Sequence, residues 1–336
     1  MITSILIIKR GAMGDVVRAT ALLHLLRNRH PASRIDWIVD SESVDLLRNN
    51  PFLRNIYVWG SYQTQQWDLI VNLEDTEECA RFATQHGRIV IGTHMMGDIL
   101  TYTPSGWFDM SLVSTLGRER ANALKRANTK TYYQHLYELL GATWSGEKPV
   151  LVLSDDEREQ GRQLIKQFRT QDKPLIGINA FAGGRWKHKS LPEERTVALI
   201  KMLSLQGCTC VLFGDQDRNA RVAAMTDIAI PLVDTSSSPR LFAAAIASCD
   251  IVITSDSLAL HLATVVGTPV VAFFGPTPAP EIELFGGHKV VPPMKCISCL
   301  LHDCDVPVPC SSRFDLDEIC AATKRLLRMR NAGERR

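Results

Sequence analysis

Residues 5–27, ILIIKRGAMGDVVRATALLHLLR, open the chain with an aliphatic run, two glycines and a set of apolar positions at helical spacing. The run reads as a buried strand. Val16, Val17, Ala19, Leu22, Leu23 and Leu26 read as the inner face of a following helix. The same alternation recurs. Further strands are expected at 34–40 (RIDWIVD), 67–73 (WDLIVNL) and 87–93 (GRIVIGT), with helical patterns between several of them. This order predicts a parallel sheet covered by helices. Residues 101–128 are less regular and carry a basic cluster, and residues 131–142 predict a helix ending at Gly141. Around 147–168 the pattern restarts with an extended stretch, Ser154 as an N-cap and a charged helix. Strands ending in polar turns follow at 174–186, 208–215, 249–256 and 268–277, and a last helix at about 316–328. Two α/β units are therefore expected, residues 1–160 and 161–336, facing each other across a central cleft. Ligands of such sheets bind beyond the carboxyl ends of the strands.

Composition narrows the class. The 336 residues suffice for two domains with real cores, and 45% hydrophobic with 22% charged residues is ordinary for a globular protein. A net charge of +2 offers no general attraction to nucleic acid. Neither a membrane-spanning run nor a signal peptide is read, which predicts a cytoplasmic location. In that compartment the nine cysteines are expected to be reduced.

Four stretches carry chemistry. In the first turn, Gly11-Ala-Met-Gly14-Asp15, an acid stands where a pyrophosphate would sit if this were a phosphate cradle. Asp15 is either a first-turn carboxylate favoured by the helix dipole or a general base. In 255–277, SDSLALHLATVVGTPVVAFFGPT, Asp256 or Ser257 caps a helix whose free amides form an anion site, with His261 one turn on and Gly275-Pro276-Thr277 after the next strand. In 183–194, Arg185, Lys187, His188 and Lys189 follow a strand end and precede a helix, which suits a diphosphate or makes an ordinary solvated basic loop. Finally, Cys296, Cys299, Cys304 and Cys310 are spaced C-x2-C-x4-C-x5-C, which can hold zinc or an iron–sulfur cluster or be a reduced cysteine cluster.

These stretches resemble glycosyltransferase family 9, the bacterial lipopolysaccharide heptosyltransferases. The similarity lies in ILIIKRGAMGDVV, INAFAGGRWKHKSLPEE, FGDQDRN and SDSLALHLATVVGTPVVAFFGPT, and covers nearly the whole chain. The resemblance implies a GT-B fold of two Rossmann-like parallel-sheet domains. It also implies inverting, metal-independent transfer from a nucleotide-diphosphate sugar, ADP-heptose, to a lipid-linked or core oligosaccharide. By position Asp15 matches the catalytic base. Lys189 and Arg185, with Asp217, Asp256, Ser257, His261 and Thr277, fall on the donor side. Gly11, Gly14, Arg18 and Arg120 fall on the acceptor side. Leu258 stands where the family commonly has glycine, and Ala21 where a proline is frequent. No cofactor is required on this reading, and a structural metal at the cysteines is the one candidate. The diphosphate would then bind the second domain and leave Asp15 to the acceptor, which removes the charge conflict at the first turn. Arg118, Arg120, Lys125, Arg126 and Lys130 either meet acceptor phosphates or the cytoplasmic face of the inner membrane or make an ordinary solvated helix face. The rival readings are another nucleotide-sugar donor, a nucleotide-sugar epimerase of the same architecture, and a non-catalytic metal protein built on the cysteines.

Overall fold

The structure, a computed structural model, describes residues 1–62, 65–170, 172–183 and 186–333. The chain forms two compact units, one of Met1–Val152 with Pro280–Glu283 and one of Leu153–Ala279 with Leu284–Arg336. The first unit holds strands β1 (Ser4–Ile8), β2 (Arg34–Val39), β3 (Asn55–Val58), β4 (Trp67–Asn72), β5 (Gly87–Met96) and β6 (Ile99–Tyr102). Its helices are α1 (Met13–Ala19), α2 (Leu22–Arg29), α3 (Val44–Leu47), α4 (Glu77–His86), α5 (Gly106–Asp109), α6 (Arg118–Ala127) and α7 (Tyr132–Leu139). The sheet order is β3-β2-β1-β4-β5-β6, parallel except for the β5–β6 hairpin. Ile5 to Ile8 are wholly buried in the middle of this sheet, as expected of a parallel strand covered on both faces. The one carboxylate inside β2 is satisfied: Asp36 accepts from Trp67 Nε1 at 3.0 Å and Asn55 Nδ2 at 2.9 Å, and pairs with Arg34.

The second unit begins with α8 (Asp155–Lys166) and continues with β7 (Leu175–Asn179), α9 (Glu193–Leu205), β8 (Thr209–Leu212), α10 (Gln216–Ala224), α11 (Pro239–Ala247), β9 (Ile251–Ser255), α12 (Leu258–Val266), β10 (Val270–Phe273), β11 (His288–Val290) and α13 (Leu316–Gly333). The order β11-β10-β9-β7-β8 is parallel throughout. Its core joins Ile176, Ile178, Leu199, Leu212, Ile253, Phe273 and Phe314. The expected boundary at residue 160 would cut α8. The helix instead stays whole with the second unit, because Gly161 lies against the Ala244 backbone of α11 and Glu157 pairs with the buried Arg240. Ser154 caps α8 through a complete capping box. The extended stretch before it forms no strand. The opening helix is interrupted at Thr20-Ala21, giving α1 and α2. β3, β6 and β11 are short strands that the apolar pattern did not single out. Among the described residues no helix is long and apolar enough to cross a membrane.

Candidate active site

The first group of functional side chains surrounds the carboxyl end of β1. Asp15 lies in the first turn of α1, with Gly14 buried beside it. Its Oδ1 accepts from Arg18 Nε at 3.0 Å and meets Nη2 at 2.8 Å. Both residues face one side because they are three apart on the helix. Arg18 lies 3.9 Å from the centre of the Tyr132 ring and 5.8 Å from that of Trp107, over which Lys125 Nζ also sits at 5.9 Å. The cation is thus fixed between an acid and aromatic faces, with its side chain 11% exposed against 36% for Asp15. Burial pushes the Tyr132 hydroxyl upward, against the pull of Arg18. Close by in sequence, Lys9 Nζ and the Arg10 amide both donate to Glu74 Oε1, at 2.8 and 2.7 Å. A side chain at Gly11 would meet only Asp40 Oδ2 at 3.9 Å, so that glycine leaves open space. Arg120 stands exposed on α6 with Arg118 and Arg126. Lys125, not Arg120, is the member of the basic stretch in contact with the aromatic residues beside Arg18.

The second group gathers where β7, β9 and β10 end. Lys189 Nζ pairs with Asp256 Oδ2 at 2.9 Å, and His261 Nε2 is 4.0 Å from Oδ1. Lys189 and Asp256 are 15% and 14% exposed. Burial pushes the Asp256 carboxyl up, but Lys189, His261 and Thr277 together hold it below the usual carboxylate range. Thr277 Oγ1 lies near enough to add to that lowering yet makes no hydrogen bond of ordinary geometry, and Ser255 Oγ is likewise buried without a partner. Ser257, not Asp256, occupies the N-cap of α12. Its hydroxyl does not cap the helix and instead accepts from Asn179 Nδ2 at 3.0 Å and touches Thr254 Oγ1 at 3.1 Å. Among the described residues the first amides of α12 receive no side-chain oxygen; that of Leu260 bonds the Ser257 carbonyl, and those of Leu258 and Ala259 remain available to an anion. Gly267, with φ at +82°, ends the helix as a left-handed C-cap.

Other expected residues fall elsewhere. Asp217 is exposed in the first turn of α10, with no hydrogen bond or ion pair to the Lys189 group among the described residues. Arg185 lies outside the described residues. Cys310 is buried, Cys299 and Cys304 half-buried, and Cys296 exposed. Among the described residues no three ligating side chains stand in coordination geometry. The sequence reading missed Trp107, Tyr132 and Glu74, and also Trp186, which stacks on His302 at 4.3 Å. The aromatic run TYYQH was the only signal for Tyr132, and a core helix produces the same pattern.

Two sheets, one parallel and the other parallel but for a single hairpin, each covered by helices, with an acid–arginine pair at the edge of one and a buried lysine beside a helix N-terminus at the edge of the other, define a GT-B fold. The family model for glycosyltransferase family 9 (heptosyltransferase) matches residues 107–293, more than half the chain, and the protein belongs to that family. It is a glycosyltransferase. It is similar to the lipooligosaccharide heptosyltransferase 2 of Haemophilus influenzae, with 26% identity over 315 residues covering 82% of this chain and 84% of that one. Among solved structures, a family 9 glycosyltransferase from Veillonella parvula superposes with a TM-score of 0.76 at 20% identity, covering 97% of each chain. The E. coli ADP-heptose lipopolysaccharide heptosyltransferase II gives 0.66 at 17% identity, covering 98% of this chain and 100% of that one.

Proposed function

We propose that this protein moves heptose from ADP-heptose to a lipopolysaccharide core acceptor, with inversion and without a metal ion at the reacting sugar. The observation that carries the reading is the separation of charge between the units. Asp15 lies on the first, and the Lys189–Asp256–His261 group with the open α12 amides lies on the second. In this scheme the donor diphosphate binds the second unit. Lys189 gives a charge-assisted contact and the α12 amides add hydrogen bonds, so the leaving charge is met without a cation cofactor. Asp256 orients Lys189 rather than touching phosphate, since a carboxylate there would repel the anion.

The acceptor hydroxyl attacks the anomeric carbon as the bond from that carbon to the diphosphate oxygen breaks. Its proton passes to Asp15. Arg18 pairs with Asp15 and aims its carboxylate, and Tyr132 and Trp107 hold Arg18. The exposed cations of α6 support contact with acceptor phosphates or an anionic membrane surface. Asp15→Asn keeps the shape and removes the base, so turnover is expected to fall roughly 10²–10⁴-fold while ADP affinity holds. Near-normal transfer by this variant would reduce Asp15 to a helix-dipole carboxylate. Donor consumption without acceptor would favour an epimerase, and transfer abolished by chelation and restored by magnesium would refute the metal-free step.

A further inference from the structure

The Lys9–Glu74 pair stands at the carboxyl ends of β1 and β4, and the transfer proposed above makes no use of it. Both side chains are almost closed in, at 11% and 12% exposed. The backbone on either side of the pair is fixed. Lys9 donates its amide to the Ile38 carbonyl at 3.3 Å, and its own carbonyl accepts from Trp37 Nε1 at 3.0 Å. The Glu74 amide donates to Asn72 Oδ1 at 3.2 Å, and its carbonyl accepts from Thr93 Oγ1 at 2.6 Å. The pair is therefore in place before any ligand arrives. Its hydrogen bonding is nonetheless incomplete. Glu74 Oε1 takes both the Lys9 ammonium and the Arg10 amide, while Oε2 accepts no hydrogen bond among the described residues. The Lys9 ammonium likewise donates only that one bond among them. Charged groups this deeply set normally use their full capacity, so water or a ligand must meet the remainder. The pair also lies beside Asp15, because both acids hang from one turn. The Arg10 amide is 2.7 Å from Glu74 Oε1, and the Asp15 amide is 2.8 Å from the Ala12 carbonyl. Arg10 and Ala12 are two residues apart, about 8 Å at most. Between them a side-chain carbon at Gly11 would find only Asp40 Oδ2, at 3.9 Å. Burial raises the Tyr132 hydroxyl most, and Asp15 and Glu74 both raise it further, so the two carboxylates share that neighbour.

We propose that Lys9 and Glu74 form a subsite for a neutral hydroxyl of the acceptor sugar, next to the hydroxyl that Asp15 deprotonates. The inference rests on the reading of Asp15 as the base. A hydroxyl both donates and accepts. It donates a hydrogen bond to Glu74 Oε2 and accepts one from Lys9 Nζ, so a single group satisfies both partners. A phosphate or carboxylate fails there. It would accept from Lys9 but bring a second negative charge against Glu74 in a nearly closed site. The pair is therefore a specificity element. It selects an acceptor ring that is uncharged beside the attacked hydroxyl, and it leaves acceptor phosphates to the exposed cations of α6. No bond is made or broken at the pair. Lys9 and Glu74 hold the ring while Asp15 takes the proton.

The test uses the full chain and three kinds of synthetic probe: a methyl heptopyranoside, its monodeoxy analogues, and a methyl uronide, whose ring carries a carboxylate. Binding is followed by saturation-transfer NMR with ADP present, and transfer from ADP-heptose by product formation. The heptoside should bind and accept, and the uronide should bind far more weakly. One monodeoxy analogue should bind roughly 10- to 150-fold more weakly than the heptoside, the loss expected for hydrogen bonds to charged groups. Lys9→Met and Glu74→Met should raise Kd and KM for the heptoside by a similar factor, with ADP affinity held. They should also erase the difference between the heptoside and that analogue, which a merely structural role would leave intact. Should a single variant fail to fold, the Lys9→Met/Glu74→Met double variant strands no charge and reads out the same loss. Asp15→Asn should do the reverse, lowering kcat while the heptoside still binds, so the base and the subsite fail separately. Heptoside binding weakened in the methionine variants upholds the subsite even where no transfer is seen. A folded methionine variant that keeps wild-type Kd and still discriminates against the deoxy analogue would overturn the proposal. So would a wild-type chain that binds the uronide as tightly as the heptoside, or that binds neither.

Discussion

Replacing Lys189 by methionine separates what the residue does for the fold from what it does for the ligand. Lys189 and Asp256 form a pair 2.9 Å apart, each about one-seventh exposed. Removing one partner of a buried pair leaves the other charge uncompensated, which costs about 3–5 kcal/mol. His261 Nε2, 4.0 Å away, can move in to donate a hydrogen bond to the stranded carboxylate and recover part of that, so about 2–3 kcal/mol is the expected loss for Lys189→Met. Burial, the largest influence on Asp256, then dominates and drives its carboxyl up. For a unit of this size, about 2–4 °C per kcal/mol gives a fall of roughly 4–12 °C in its melting temperature. Adding Asp256→Asn removes the stranded charge, so the double variant should recover most of the stability. It should not recover nucleotide binding, because the charge-assisted contact, about 1.5–3 kcal/mol, is still missing. ADP affinity should stay roughly 10- to 150-fold weaker in both variants. Calorimetric melting without ligand and ADP titration measure the two effects. Equal melting temperatures for wild type and Lys189→Met would refute the buried-pair argument, and wild-type ADP affinity in the double variant would refute the donor contact.

Two further predictions concern the helix that begins the second unit. Arg240 overcomes burial and holds the Glu157 carboxyl at about 2, against an ordinary value of about 4.3. Being depressed on folding, the group contributes stability that is complete above about pH 4.3 and lost as the pH falls toward about 2, worth about 2 kcal/mol after screening of its partly exposed side chain. Glu157→Gln should lower the urea midpoint at neutral pH and flatten its decline in acid; parallel acid profiles for the two proteins would rule this out. Gly161→Ala puts a carbon 2.4 Å from the Ala244 backbone, so the two helices must part at a cost of about 1–3 kcal/mol, seen as a lower melting temperature. An unchanged melting temperature would show that α8 does not bear on α11 at that point.

Much of the architecture was legible because parallel strands buried on both faces leave uninterrupted aliphatic runs. β1, β2, β4, β7, β9 and β10 each coincide with one. The strands that escaped notice are edge or near-edge segments such as β3, β6 and β11, which are only three or four residues long. They owe their state to pairing with a neighbour, and segments of three or four residues are too short to carry a period that announces it. The expected boundary missed its place for a similar reason. The charged face of α8 is what composition shows, whereas its assignment depends on a glycine meeting the Ala244 backbone and on one ion pair.

The site was legible to a different depth. Motif position singled out Asp15, Lys189, Asp256 and His261 as candidates, but it gave all three donor-side residues the same kind of role. The distances divide them. Asp15 is the more exposed acid and its partner arginine lies against aromatic faces, whereas Asp256 is closed in and spends its charge on Lys189. Both carboxylates accept a cation at 2.8–2.9 Å. Only the first leaves a third of its side chain open to solvent. A residue's type and motif therefore locate a charge, while its exposure and partner decide whether that charge can move a proton or only hold another group in place. Those two quantities arise from packing between segments as distant as 15 with 132, or 189 with 256, and no local pattern encodes them.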